Sequence, residues 1–261
     1  MPKLHILPLQ QPRYRASRLS LSVAALLLLA YGLPYFQPLF AALFPAQLRP
    51  VYLQEPMAEL MWQHIWLVSV SSSLAVIVAT LSGLATTTET GRAFKPIMET
   101  LAGMGQTFPP VAILAVAVPA VGFGELPALI ALSIFGVLPV LQATLAGLAS
   151  VPSPVLDSAR AMGMSPRHIL TEVQMPLALP LWMAGVRTSV VVNIGTASIA
   201  STVGAKTLGL PIIVGLSGFN TAYVLQGAMV LGLLAIAADL AFDWIALIVQ
   251  GQGALTDDDQ A

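Results

Sequence analysis

Long apolar segments separated by short polar ones make up most of the chain. They cover about residues 19–35, 62–88, 96–120, 126–148, 181–203 and 222–249. A helix needs roughly 20 consecutive apolar residues to cross the hydrocarbon core of a bilayer. The pattern therefore predicts an all-α membrane protein with about six transmembrane helices.

One stretch between the fourth and fifth apolar segments departs from this pattern. Residues 153–176, which we call the polar segment, read SPVLDSARAMGMSPRHILTEVQMP and carry five charged or titratable side chains in a chain that is only 9% charged. Ser153 is expected to cap a first helix, with Pro154 at its first helical position and Gly163 just past its end. Ser165 and Pro166 repeat the start signal, so the sequence predicts two short helices here.

The two predicted helices have apolar faces that need a partner. Val155, Leu156, Ala159 and Met162 share a face of the first helix, while Asp157 and Arg160 are three residues apart elsewhere and can pair weakly. Connections between neighbouring helices usually take 2–8 residues, and this one takes about thirty. We expect it to pack under its own bundle or to bind another protein.

Composition and charge narrow the class of protein. The chain is 57% hydrophobic and has a net charge of −1, no cysteine and three histidines far apart in sequence. Disulfides and cysteine-ligated metals are excluded, and the charge does not favour nucleic acid. We expect no metal site and no catalytic residues. An intramembrane enzyme built on His64 and Glu59 stays open as a poor alternative.

The distribution of lysine and arginine predicts the orientation, because cytoplasmic loops are enriched in both. With a cytoplasmic N-terminus, only Arg49 and Lys206 fall outside. We then expect a cytoplasmic segment at 1–18, a first transmembrane helix and periplasmic loop at 19–56, a membrane core at 57–250 and an acidic cytoplasmic tail at 251–261. The other nine basic residues lie inside or at the inner boundary: Lys3, Arg13, Arg15, Arg18, Arg92, Lys95, Arg160, Arg167 and Arg187.

The polar segment resembles the EAA loop of permease subunits in binding-protein-dependent ABC importers. That loop reads Glu-Ala-Ala, three residues, Gly, nine residues, Ile-x-Leu-Pro, and the chain has Asp157, Ser158, Ala159, Gly163, Val173, Met175 and Pro176 at the same spacing. The resemblance implies a type I ABC importer permease fold in which the first short helix is a coupling helix gripped by a cytoplasmic ATPase. It assigns ATPase coupling to Asp157, Ser158, Ala159, Arg160, Met162, Gly163, Val173 and Pro176.

Two further stretches, Met104–Pro152 and Ala184–Leu216, resemble the osmoprotectant permeases for glycine betaine, carnitine and choline. Lys206 and Thr207 stand where that group has two glycines. The resemblance implies an inner membrane importer subunit working with an ATPase dimer, a second permease subunit, identical or paralogous, and a periplasmic binding protein. ATP would be bound by the ATPase, since the chain has no Walker A loop. Another small solute, such as an amino acid or a sulfonate, or a self-contained secondary carrier, stays open.

Polar and helix-breaking residues at membrane depth are candidates for the wall of a pathway. We name Gln106, Pro109, Asn193 and Thr196, with ordinary helix packing as the alternative. A charge in the middle of a bilayer costs on the order of 2.5–3.5 kcal/mol. We therefore predict that Arg187 pairs with Asp239 or Asp243 as a structural tie.

Overall fold

The structure is a computed structural model that describes residues 12–88, 91–104 and 109–258. Within these ranges the regular elements are all helical. The α-helices are α1 (Pro12–Gly32), α2 (Gln37–Leu43), α3 (Met57–Ala85), α4 (Lys95–Met104), α5 (Pro110–Val121), α6 (Glu125–Ala149), α7 (Ser153–Ala161), α8 (Pro166–Ile169), α9 (Met175–Ala197), α10 (Gly209–Ser217) and α11 (Thr221–Asp258). Short 3-10 turns cover Leu33–Phe36, Gly91–Phe94 and Ser198–Val203, and a π turn covers Leu170–Gln174.

Five helical stretches in the described ranges are long and apolar enough to cross a membrane. They are Ala16–Leu43, Met57–Ala85, Glu125–Ala149, Pro166–Val203 and Thr221–Ile248. These agree with five of the six expected spans. The last helix also continues to Asp258, so the beginning of the acidic tail has a helical backbone.

The third expected span, residues 96–120, is divided into α4 and α5 instead of forming one helix. Pro109 has an extended backbone, with φ −69° and ψ 129°, directly before Pro110 at the start of α5. A residue that precedes proline is pushed out of the helical region by the proline ring. The two adjacent prolines therefore start a new helix where apolarity alone predicted a continuous one.

The described residues form two compact units. The central unit is Leu67–Asn193, and the terminal unit holds the described residues of Met1–Trp66 and Ile194–Ala261. In the central unit α6 packs against α4 and α5. Its buried core centres on Ala79, Val140, Leu141 and Leu145. An added Cβ at Gly136, Gly147 or Gly185 would meet atoms of a neighbouring helix, and such small residues let helix backbones approach closely in membranes.

In the terminal unit α11 packs against α1 and α10 and carries the loop at residues 44–56. The buried Gln226 side chain clamps that loop: its amide nitrogen donates to the carbonyl of Pro50 at 2.6 Å, and its amide oxygen accepts from the N–H of Tyr52 at 2.9 Å. The Tyr52 ring lies edge-on to Tyr223, with ring centroids 5.4 Å apart. Side-chain amides therefore satisfy a loop backbone that has no helical partners.

We predict that Gln226→Ala destabilises the terminal unit. The substitution leaves the Pro50 carbonyl and the Tyr52 N–H unpaired in a buried site, at about 1–3 kcal/mol for each unpaired group. Thermal unfolding of the purified protein in detergent should show a Tm several degrees lower. Gln54→Ala, at an exposed glutamine of the same loop, is the control and should leave the Tm almost unchanged. Equal Tm values for the two variants would contradict the clamp.

Candidate functional site

The polar segment folds as two short helices, as the sequence predicts. The first is α7, and it begins after Pro152, whose extended backbone takes the N-cap position without a side-chain hydrogen bond. Ser153 is therefore the first helical residue, and the expectation that it caps the helix is wrong. Pro154 fits because a proline in the first turn lacks an N–H that would have no helical partner.

Gly163 ends the first helix in the way that the sequence predicts. Its φ is +80°, a region that glycine adopts without steric cost. The Met164 N–H donates to the Ala159 carbonyl at 3.2 Å, and the Gly163 N–H donates to the Arg160 carbonyl at 2.9 Å. These two bonds close the helix end. In the second helix the Ser165 hydroxyl accepts from the His168 N–H at 3.3 Å, which confirms the predicted cap.

The second helix does not end at Pro176 but continues into the membrane span. After α8 the backbone forms the π turn, and α9 begins at Met175. A proline ring in a regular α-helix clashes with the carbonyl four residues before it, and for Pro176 that residue is Glu172, inside the π turn. The π turn has a larger diameter than an α-helix and gives the proline ring room. The polar segment is therefore joined to α9 without a loop.

The apolar face predicted for the first helix is buried at its centre and exposed at both ends. Ala159 and Ile169 are buried at 2% and 6% exposure, whereas Met162 is 74% exposed and Val155 is also exposed. Arg160 Nη1 donates to Asp157 Oδ1 at 2.7 Å, and both side chains are largely exposed. The predicted ion pair is present. We call the exposed surface made by Val155, Asp157, Arg160 and Met162, the residue directly after α7, the outward face of α7.

The remaining residues that the resemblance assigns to coupling lie on the same short stretch. Ser158 is exposed, and its hydroxyl donates to the Pro154 carbonyl at 2.9 Å, within α7. Val173 is half-buried in the π turn, and Pro176 is exposed in the first turn of α9. The roles assigned to these residues stay predictions.

The four pathway candidates have different surroundings. Gln106 lies outside the described residues, and Pro109 is exposed at the start of α5. Asn193 belongs to the central unit and Thr196 to the terminal unit. The structure therefore does not bring these residues together within one unit, and their pathway role stays a prediction.

Asn193 itself is a buried polar link between helices of the central unit. Its amide nitrogen donates to Ser72 Oγ on α3 at 3.1 Å and to the Leu132 carbonyl on α6 at 3.3 Å. One turn earlier on α9, the Ser189 hydroxyl donates to the Gly136 carbonyl at 2.8 Å. Among the described residues the amide oxygen of Asn193 has no hydrogen-bond partner. These contacts are typical of helix packing in a membrane.

The two hydrogen bonds of the His64 ring are the main contacts that the sequence did not predict. Its ring is fully buried, with Nε2 3.0 Å from the Ile194 carbonyl and Nδ1 accepting from the Leu208 N–H at 3.3 Å. A neutral ring with its proton on Nε2 satisfies both partners. Both ring nitrogens are bonded to backbone groups, so His64 has the surroundings of a structural histidine. Glu59 accepts from Gln63 at 3.0 Å instead, and the enzyme alternative gains no support.

The two residues that replace glycines of the resembling group have clear partners. Lys206 Nζ lies 2.9 Å from Glu55 Oε1, and this hydrogen bond and the nearby negative charge raise the pKa of Lys206. Thr207 is fully buried; its hydroxyl lies 2.7 Å from Ser201 Oγ and accepts from the Gly209 N–H at 3.1 Å. Both residues therefore tie the turn before α10 to neighbouring segments of the terminal unit.

An apolar cavity of about 220 Å³ lies in the central unit beside the polar segment. Trp182 is one wall, and its indole N–H donates to Thr80 Oγ1 at 2.9 Å. This bond joins α9 to α3 within the central unit. The lining is Thr144, Leu148, Met175, Ala178, Leu179 and Trp182.

Comparison with known proteins shows which family the chain belongs to. Residues 72–250 match the family described as "Binding-protein-dependent transport system inner membrane component". The chain belongs to this family. The permease is thus an inner membrane protein with several membrane-crossing helices, and the whole polar segment lies inside the matched range.

Several relatives are similar over most of the permease. It is 32% identical to the osmoprotectant import permease protein OsmY of Salmonella typhimurium, over 70% of this chain and 77% of the relative. It is 36% identical to the choline transport system permease protein OpuBB of Bacillus subtilis, over 72% and 87% of the two chains. It is also 36% identical, over the same shares, to the glycine betaine/carnitine/choline transport system permease protein OpuCB of that organism.

A solved structure supports the fold of the permease. A chain from an inward-facing structure of the MetNI methionine ABC transporter matches with a TM-score of 0.66 and 20% identity, over 76% of this chain and 99% of that chain. At this identity the likeness shows the fold alone. It is the type I ABC importer permease fold expected from the sequence.

Arg187, Asp239 and Asp243 of the permease are half-buried in α9 and α11. Each takes part in a polar or electrostatic interaction, so none is an isolated charge. Their mutual pairing stays a prediction, because neither acidic residue is established as the partner of Arg187.

We predict that Arg187 and one of the two aspartates are energetically coupled. In a double-mutant cycle, Arg187→Ala and Asp243→Ala should each lower the Tm, and the double variant should lower it by less than the sum, with a coupling of about 1 kcal/mol or more. The same cycle with Asp239→Ala identifies which aspartate is the partner. Additive effects in both cycles, or unchanged assembly and transport in Arg187→Ala, would reject the tie.

Proposed function

We propose that this permease forms the translocation pathway of an ATP-driven importer for a small osmoprotectant such as glycine betaine, choline or carnitine. The names of its relatives OsmY, OpuBB and OpuCB support this cargo. Family membership supports the dependence on a binding protein. The single observation that carries the proposal is the outward face of α7 inside the matched range, because an importer subunit without its own ATPase needs such a contact.

The outward face of α7 suits a protein partner that grips a projecting helix. Met162 and Val155 expose apolar surface, while Ala159 and Ile169 hold the helix onto the central unit. Methionine is flexible and polarizable, and it adapts to the shape of a partner surface. We assign this face to a cytoplasmic ATPase dimer that binds ATP. The permease itself then needs no cofactor and catalyses no reaction.

The proposed orientation puts the polar segment, the N-terminus and the C-terminus in the cytoplasm. It requires α4 and α5, with 10 and 12 residues, to cross the membrane together as one broken span. Breaks at membrane depth are tolerated where they meet protein or a water-filled space. The loop at residues 44–56 and the segment at residues 204–220, which contains α10, then face the periplasm, where a binding protein delivers the cargo.

The remaining partner is a second permease subunit, identical or paralogous. A pathway that opens alternately to each side needs two surfaces that can move against each other, and two copies of this fold can supply them. A cargo such as an amino acid or a sulfonate would need the same assembly. A self-contained secondary carrier would need none of these partners.

We predict that Met162→Glu abolishes capture of the ATPase. A carboxylate in place of the exposed apolar tip would have to be desolvated in the interface, which is costly without a partner charge. Pull-downs from membranes, followed by mass spectrometry, should recover an ATP-binding protein with the wild type and at least about tenfold less with Met162→Glu. Leu53→Glu, a similar change at an exposed residue of the loop at residues 44–56, is the control and should not alter recovery. An unchanged yield with Met162→Glu would reject the assignment of α7.

We predict that cells expressing the complete transporter take up labelled glycine betaine, choline or carnitine. Uptake should depend on ATP and on the binding protein, and it should protect cells from osmotic stress. Methionine and taurine are the comparison solutes. Uptake of methionine or taurine, without osmoprotectant uptake, would support an ATP-driven importer with a different substrate. Uptake by the purified permease alone, driven by an ion gradient, would reject the importer.

A further inference from the structure

Phe219 is held in a backbone conformation that does not suit it. Its φ is +52°, and it is the only residue other than glycine with a positive φ in the part of the chain that the structure describes. It occupies the position after the end of α10 at which helices usually place glycine. The Asn220 N–H donates to the Gly215 carbonyl at 2.8 Å, which closes the helix end around it. A side chain there costs stability that a glycine would not.

The ring of Phe219 does not offset this cost by burial. The residue is 88% exposed, and nearby Leu48 is fully exposed, at 101%. Hydrogen bonds on either side of Leu48 hold its backbone close to that of Phe219, and both side chains are exposed from this junction. Gln47 donates to the Phe219 carbonyl at 3.0 Å, and Asn220 donates to the Arg49 carbonyl at 2.9 Å. We call Leu48 and Phe219 the outer apolar pair.

The loop backbone around the outer apolar pair is polar and held by hydrogen bonds. The Gln226 clamp holds the same loop at Pro50 and Tyr52. The apolar span of α11, Thr221–Ile248, has 28 residues and is about 42 Å long, whereas the hydrocarbon core is about 30 Å thick. Phe219 precedes this span and is surrounded by hydrogen-bonded loop backbone. In the proposed orientation the pair therefore lies at the outer end of this span, and its polar, hydrogen-bonded surroundings favour a protein partner over lipid tails.

We propose that the outer apolar pair is the contact through which the periplasmic substrate-binding protein docks on this permease. The inference rests on the proposed function and its orientation, and it deepens both by naming the residues that receive this partner. Aromatic residues such as Phe219 are enriched in protein–protein interfaces, whose buried core is apolar and whose rim is polar. The dependence of the family on a binding protein supplies the occupant on this side of the membrane.

Site-specific photocrosslinking in cells tests the contact. Benzoylphenylalanine in place of Leu48 should give a covalent adduct whose partner is identified by mass spectrometry as a solute-binding protein. The adduct should fall at least fivefold when Phe219→Ala is added. The same crosslinker at Val116, an exposed position on apolar α5, is the control and should give no such adduct. An adduct with a second copy of the permease or with lipid only, or no adduct, would overturn the proposal.

Glycine at position 219 separates a docking role from a structural one. Phe219→Gly relieves the backbone strain and should raise the Tm by about 2–4 °C, yet it should lower uptake at least fivefold. Phe219→Ala should lower uptake equally without raising the Tm, and Phe219→Trp should retain uptake. Normal uptake by Phe219→Gly would overturn the proposal. A pull-down of the ATPase with these variants distinguishes two kinds of failure. If the ATPase is recovered, the importer is assembled and only the proposed docking contact is in question.

Discussion

The requirement that every backbone N–H and C=O find a partner governs this protein. In hydrocarbon an unpaired backbone group costs several kcal/mol, so regular helix is the default. At some places where the chain leaves the helix, backbone bonds close the end, and at two others a buried side chain satisfies the freed groups. The His64 ring accepts from the Leu208 N–H and meets the Ile194 carbonyl, and Gln226 pairs with both Pro50 and Tyr52. Both side chains are fully buried, and they make the hydrogen bonds that water makes to backbone groups at a surface.

The same requirement explains which parts of the fold followed from the sequence. Apolar length predicted the long helices, and local signals at Gly163 and Ser165 predicted the helix end and the cap in the polar segment. The division of the third span was missed, although Pro109 and Pro110 marked it, because apolarity continues across the break. The contacts of His64 could not be foreseen. They join positions 130 and 144 residues apart in the chain, and a single sequence carries no signal for such pairings.

Candidate sites differ in the same way. The Asp157–Arg160 pair was predictable because its members are three residues apart on one helix. The surroundings of Asn193 depend on which helices pack beside it, and its contacts with Ser72 and Leu132 are those of packing. The exposure of Phe219 was equally hidden, since an aromatic residue before an apolar span ordinarily predicts burial or an interface anchor. Only its φ reveals a position that a glycine would fill at lower cost.

The π turn at Leu170–Gln174 joins α8 to α9 without a flexible loop, so the number of residues in it sets the rotation of α7 relative to α9. Each residue of an α-helix advances the direction of its side chains by about 100° and the axis by about 1.5 Å. Removing one residue from this turn would therefore swing α7 about a third of a revolution around the axis of α9. Met162 would then point somewhere else entirely. The number of residues between Gly163 and Pro176 thus fixes the direction in which Met162 points relative to α9. A deletion of one residue there would displace Met162 from its position in the outward face.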